Sequence, residues 1–253
     1  MSNPVENSVR LALQEKPANQ VRVMTQHWLH LLFLHWEYDA EQIQSRLPPG
    51  LKVDTYQGKA YMGIVPFVMK GIRPRFMPAV PWFSTLLELN LRTYVYDQKG
   101  TPGVWFFSLD ANKLPAVWLA RNFFHLNYLS AKQTFQAKNK TYTFTSKRKG
   151  SRHQEASKFI FRPHEHLFEA DQNSFTAFLT NRFILFSYDS KKKRLFQGRV
   201  YHPPYPLRKA ELLLYDQHLF QLDGFTAPLR APDHTIMSPG VKVDIYGLEK
   251  NEI

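Results

Sequence analysis

Residues 86–96 alternate in character. Glu88, Asn90, Arg92, Tyr94 and Tyr96 fall on one side of a strand, opposite Leu87, Leu89, Leu91, Thr93 and Val95. An acid, an amide and a guanidinium on one strand face can accept a proton and hold an anion. A strand side turned to water would carry the same alternation. Two nearby features favour an interior. The segment 104–110 brings Ser108 and Asp110 to a single face, and the segment after it carries Arg121 among apolar neighbours. Acids and arginines sharing an interior are costly unless paired, so their clustering marks a site. Glu88, Asn90, Arg92, Ser108 and Arg121 are therefore ligand-binding candidates, and none of them can be given a catalytic role on this ground alone.

Other chemistry has weaker support. His27, His30 and His35 invite a metal, yet on a regular strand His30 faces away from the other two, which leaves core or surface histidines as the simpler reading. His164-Glu165-His166 could put two imidazoles on one side of a strand, but no third ligand is evident and the spacing is not that of a zincin. His202, just before Pro203, could line a pocket or fix a loop. There is no Gly-x-Ser-x-Gly elbow and no glycine-rich phosphate loop, and Ser108 beside Asp110 lacks an obvious histidine. Neither a metal nor a cofactor is expected.

The elements that must position these residues are mostly strands. Strands are expected at 28–38, 60–69, 86–96, 103–109, 182–188, 195–201, 210–214 and 241–246, with a hairpin over 135–147 whose tip is Asn139–Lys140. Asp39 with Gln42 three residues on resembles a capping box for a short helix that Pro48 and Gly50 end. Two more short helices are expected, one starting at Pro115 and one near 173–181. The fold class is thus mainly β (α+β), a curved antiparallel sheet or barrel with a few short helices attached. One domain over 20–248, with flexible ends at 1–19 and 249–253, is the simplest organisation.

Composition narrows the function classes. With no cysteine, disulfides, thiolate metal sites and cysteine nucleophiles are excluded. The first twenty residues hold no apolar run of signal-peptide length and no stretch reaches that of a membrane span, so a cytoplasmic protein without membrane partners is expected. The net charge of +12 would suit nucleic acid or acidic metabolites. Its local excesses at 147–152 and 191–194 read as solvated turns, and no nucleic-acid motif accompanies them.

Several motifs together resemble the uncharacterised YqjF-like family. They are Glu88-Leu-Asn-Leu-Arg-Thr-Tyr-Val95, Pro102-Gly103, Phe107-Ser-Leu-Asp-Ala111, His35-Trp36, Leu47-Pro-Pro-Gly-Leu51, Val65-Pro-Phe67, Leu179-Thr-Asn-Arg182 and Ser238-Pro-Gly-Val241. That family in turn resembles acetoacetate decarboxylase, which implies a mostly antiparallel, cone- or barrel-like sheet around a pocket. The resemblance sets Glu88 at the decarboxylase's glutamate, Gly103 at its turn glycine and Ala120-Arg121-Asn122 at its Gly-Arg-Glu. Tyr128 falls at the Schiff-base lysine and Leu129 at the neighbouring cation. Neither can form an imine; acetoacetate decarboxylase is itself the standard example of a lysine activated by a second cation. Lys132 is close in sequence but is expected to point elsewhere.

The resemblance adds Tyr128 to the ligand-binding set. Glu88 as base, Tyr128 as acid and Arg92 or Arg121 as anion holder would then suit a small anionic or oxygenated metabolite, without Schiff-base chemistry. The alternative is a non-catalytic protein that uses its basic surface for a protein or nucleic-acid partner. Relatives of this fold often assemble, so a homo-oligomer is compatible with either reading.

Overall fold

Each strand alternates its side chains between two faces, and in this chain the central strands bury both. A computed structural model describes residues 5–76, 85–113, 125–151 and 155–251. Its strands are β1 (Arg22–Tyr38), β2 (Leu51–Val53), β3 (Ala60–Pro74), β4 (Thr85–Asp97), β5 (Pro102–Ala111) and β6 (Tyr128–Lys138). They continue with β7 (Thr141–Arg148), β8 (Ser157–Pro163), β9 (Ile184–Asp189), β10 (Arg194–Tyr201), β11 (Arg208–Leu214) and β12 (His234–Asn251). Short helices are α1 (Asn7–Ala12), α2 (Ala40–Gln44), α3 (Phe175–Thr180) and α4 (His218–Leu222). The mainly β expectation and the curved sheet are what the structure has.

One sheet contains all the strands, in the order β10-β9-β5-β6-β7-β8-β11-β12-β1-β3-β4-β2, and two extra pairings close it. β4 pairs with β5, and β10 pairs with β12. Two rings result, and both include β12, β1, β3, β4 and β5. The first is completed by β9 and β10, the second by β6, β7, β8 and β11. β5 is split between them: Val104 and Trp105 run parallel to β9, while Leu109 to Ala111 run parallel to β6.

Each ring has its own apolar filling. Phe33, Val65, Phe67, Val200, Tyr205 and Val243 pack in the first. Leu34, Trp36, Ile64, Leu89, Leu91, Phe144 and Phe161 pack in the second. Antiparallel sheets ordinarily wet one face; here the shared wall is buried on both. That explains the near-continuous buried runs in β1, β3 and β4.

Local signals account for the connections. Asp39 Oδ1 accepts from Gln42 N at 2.7 Å and starts α2 as expected. Asn139 and Lys140 both have positive φ, the geometry of a type I′ hairpin turn, at the tip expected for β6–β7. Lys191–Lys193 form the exposed turn between β9 and β10, and Asp189 Oδ1 accepts from the Lys191 and Lys192 amides. At the chain's ends, Arg10 of α1 meets buried Asp54 at 2.8 Å, and Asn251 Nδ2 donates to Asp97 Oδ2. The helix expected from Pro115 lies outside the described residues. Among the described residues no helix is long and apolar enough to cross a membrane.

Gly103 sits within β5 and is not a turn residue; Gly100, with φ of 79°, makes the turn instead. A Cβ on Gly103 would lie 2.7 Å from the backbone oxygen of Ile184 and 2.7 Å from Phe186 Cε2. Glycine therefore lets β9 close the first ring. We expect Gly103→Ala to lower the melting temperature by several degrees, as overpacking at a rigid backbone contact does. An unchanged melt would show that the β5–β9 seam can yield.

Candidate functional site

Glu88, Asn90 and Arg92 face the first interior. The β3–β4 register sets Phe67 beside Glu88, Val65 beside Asn90 and Gly63 beside Arg92, and the β4–β5 register sets Ala111 and Leu109 beside Glu88 and Asn90. Tyr128 opens β6 opposite Leu109 and so joins the same face. All three β4 side chains are buried. Tyr128 Oη donates to Glu88 Oε2 at 2.7 Å, and Asn90 Nδ2 donates to Glu88 Oε1 at 3.0 Å. Burial drives the Glu88 carboxyl up to about 7, against the pull of those two donors and of Arg92. Burial and the Glu88 charge push Tyr128 well above the usual phenol range, so it stays a donor.

Arg92 lies over the ring of Phe33 and donates Nη2 to the Leu179 carbonyl at 3.1 Å and to Tyr94 Oη at 3.3 Å. Tyr94 Oη also contacts His35 Nε2 at 2.6 Å. His35 Nδ1 is 3.1 Å from His234 Nδ1, and His234 Nε2 is 3.0 Å from Thr176 Oγ1. Burial lowers both imidazoles, His234 to about 4 and His35 well below 6.5, so both are neutral links in this chain of hydrogen bonds. Gly63 makes room for it: a Cβ there would lie 2.8 Å from His35 Cδ2.

His202, in the loop after β10, is buried against Phe183 and Tyr205. The charge of Arg92 reaches both His202 and Tyr205, and burial lowers His202 to about 4.

Ser108 does not join this group. It pairs with Leu91, and Asp110 pairs with Leu89, so both open onto the second interior. The shared interior expected for these acids and arginines is two interiors, because the wall strand is buried on both sides. Ser108 and Asp110 instead meet Arg148. Its Nε donates to Asp110 Oδ1 at 2.9 Å, its Nη1 to Asp223 Oδ1 at 2.7 Å and its Nη2 to Ser108 Oγ at 2.7 Å. Ser108 Oγ in turn donates to Asp223 Oδ2. The Arg148 side chain is thus only 9% exposed, contrary to its reading as part of a solvated basic turn. Burial raises Asp110 to about 7 in spite of Arg148. Arg121 lies outside the described residues.

The histidine parity also changes. His30 has a φ of 53° in the middle of β1, and that left-handed residue reverses the alternation. Trp28 packs toward the first interior, as do Leu31 and Phe33 beyond the reversal. His27 and His35 therefore lie on opposite faces, and His27 is exposed while His35 is buried. His164 and His166 are exposed, and Glu165 is held by Lys140 at 2.7 Å.

Three comparisons bear on this arrangement. The DUF2071 family, described as an uncharacterized conserved protein, matches residues 25–242. The uncharacterized protein YqjF of Bacillus subtilis (strain 168) is 35% identical over 210 residues, which is 83% of this chain and 85% of that protein. Among solved structures, the acetoacetate decarboxylase of Legionella pneumophila is similar with a TM-score of 0.63 at 10% identity, covering 100% of this chain and 98% of its own. The enduracididine biosynthesis enzyme MppR gives 0.62 at 11% identity, covering 91% and 90%. At such identities the likeness is one of fold.

Proposed function

The chain belongs to the DUF2071 family, and within it we propose that the first interior binds a small anionic or oxygenated metabolite, without Schiff-base chemistry. The observation that carries this is Arg92: a guanidinium enclosed in the first interior over Phe33, whose hydrogen-bond partners among the described residues, the Leu179 carbonyl and Tyr94 Oη, are both neutral. A buried cation lacking an acid of its own calls for an anion. Among fold neighbours, MppR has been solved in complex with pyruvate, a small carboxylate.

The case against an imine rests on the lysines. Every lysine is exposed except Lys113, half-buried just past β5, and Lys132 is among the exposed ones. An imine-forming amine needs an enclosed site that lowers its pKa. Tyr128, at the position the decarboxylase resemblance gives to that amine, donates to Glu88 instead. Glu88, with its pKa of about 7, and Tyr128 suit proton transfer at neutral pH.

Small carboxylates of two to six carbons should raise the melting temperature of the wild-type protein. Arg92→Met, shown to be folded by its own melt, should lose that response. Borohydride added with acetoacetate or pyruvate should leave the protein's mass unchanged. A stable adduct, or stabilisation that survives in Arg92→Met, would overturn the reading.

A further inference from the structure

Resting on that reading, we infer that the ligand is a hydroxy acid and not a keto acid: its carboxylate meets Arg92 while hydroxyl hydrogens go to Asn90 and His202. The inference comes from the type of polar atom left over. Buried polar atoms nearly always have partners. Apart from Ser187 Oγ, a hydroxyl on the β9 face that carries Leu185 and able to donate or accept, three on buried side chains of the first interior have none among the described residues: Asn90 Oδ1, Arg92 Nε and His202 Nε2. Orphan Nε atoms also occur at Arg10, Arg199 and Arg208, so Arg92 alone would say little. The other two are acceptors.

Their character is fixed by their neighbours. His202 Nδ1 is 2.8 Å from the carbonyl oxygen of Pro203. A carbonyl only accepts, so Nδ1 carries the hydrogen. With its pKa lowered to about 4, the ring has no second proton, and Nε2 offers a bare lone pair. Asn90 is oriented by Glu88: the carboxylate accepts from Nδ2, which turns Oδ1 away as an acceptor. The interior thus presents one cationic donor and two acceptors, each lacking a complement.

Pyruvate and acetoacetate carry acceptors alone. Their oxygens would satisfy Arg92 and leave Asn90 Oδ1 and His202 Nε2 unpaired, which is costly in an enclosed site. A hydroxy acid supplies both kinds of atom. Asn90 and Arg92 are two residues apart on one strand face, a span of about 7 Å. That spacing favours a hydroxyl several bonds from the carboxylate, as in short polyhydroxy acids. A site built to hydrogen-bond a hydroxyl rejects the analogue lacking it far more strongly than an apolar site would.

Titration calorimetry on matched pairs tests this: 3-hydroxybutyrate against acetoacetate, 4-hydroxyvalerate against levulinate, with gluconate as the polyhydroxy probe. We expect each hydroxy acid to bind roughly 10-fold or more tightly than its keto partner, and gluconate most tightly. His202→Phe and Asn90→Leu, each confirmed as folded by its melt, should bring the two members of a pair together. Keto acids binding equally or better would sink the hydroxy-acid assignment and leave an Arg92-dependent carboxylate site standing. A preference that persists in both variants would also sink it. If no acid of either kind binds the wild type, the carboxylate reading of the interior fails, and this assignment with it.

Discussion

Arg148→Met should cost about 3–5 kcal/mol of unfolding free energy, read as a lower urea midpoint at pH 7.5. The side chain is the cation of a buried knot in the second interior, holding Asp110, Asp223 and Ser108. Its removal leaves two carboxylates close together with nothing to balance them. Methionine fills much of the volume, so the loss measures charge more than packing. Asp110 already sits at about 7 with Arg148 present. Without the guanidinium it should bind its proton more tightly still, so the defect should be smaller at pH 5.5 than at pH 8. Adding Asp110→Asn should recover part of the loss. A midpoint within about 1 kcal/mol of wild type at pH 7.5 would mean that the knot contributes little.

The interior carboxyls and imidazoles give the second large effect, a stability maximum near pH 6.5. The folded chain raises Glu88 from 4.5 and Asp110 from 3.8, each to about 7. Between those values it holds protons that the unfolded chain has released, so this contribution to stability falls as pH rises toward and through 7. The imidazoles act oppositely. His202 and His234 drop from 6.5 to about 4, and His30 and His35 are also lowered. Below 6.5 the unfolded chain binds protons that the folded imidazoles refuse, so stability falls as pH falls. Four imidazoles outweigh two carboxyls below pH 6.5, and only the carboxyls act above it. At about 1.4 kcal/mol per pKa unit, Glu88 alone withholds roughly 3 kcal/mol once fully ionised. Glu88→Gln with Asp110→Asn should flatten the alkaline limb and move the maximum upward. Melting curves from pH 5 to 9 check this. A wild-type curve that keeps rising to pH 8 would contradict the assignment.

The chain announces its elements more clearly than their enclosure. The alternation in 86–96, the Asp39 cap and the Asn139–Lys140 tip are local, and each produces the element it suggests. The alternation also separates Glu88, Asn90 and Arg92 from the leucines. It does not say that the leucine side is a second enclosed space, because double closure depends on pairings far apart in sequence: β4 with β5, β10 with β12 and β5 with both β6 and β9. For that reason Ser108 reads as a companion of Glu88 and turns out to lie behind it. Arg148 was hidden in a basic run whose neighbours Lys147 and Lys149 are exposed; alternation within β7 was the available signal. His35 and His234 are 199 residues apart, and nothing local connects them. The reversal at His30 needs a backbone angle that no side-chain pattern reveals.

The wall shared by the two rings has a consequence for how such a chain can change. Odd and even positions of β3 and β4 line different spaces, so each strand is read in two interleaved frames. A substitution alters one space and leaves the other as it was. A single-residue insertion or deletion would exchange their contents, sending Glu88 and Arg92 among the phenylalanines of the second ring and leucines to the place where Arg92 sat. Point replacements are therefore the open route by which this scaffold acquires a new specificity, and indels within the wall are closed to it. β1 contains one in-strand frame change, and a left-handed histidine makes it.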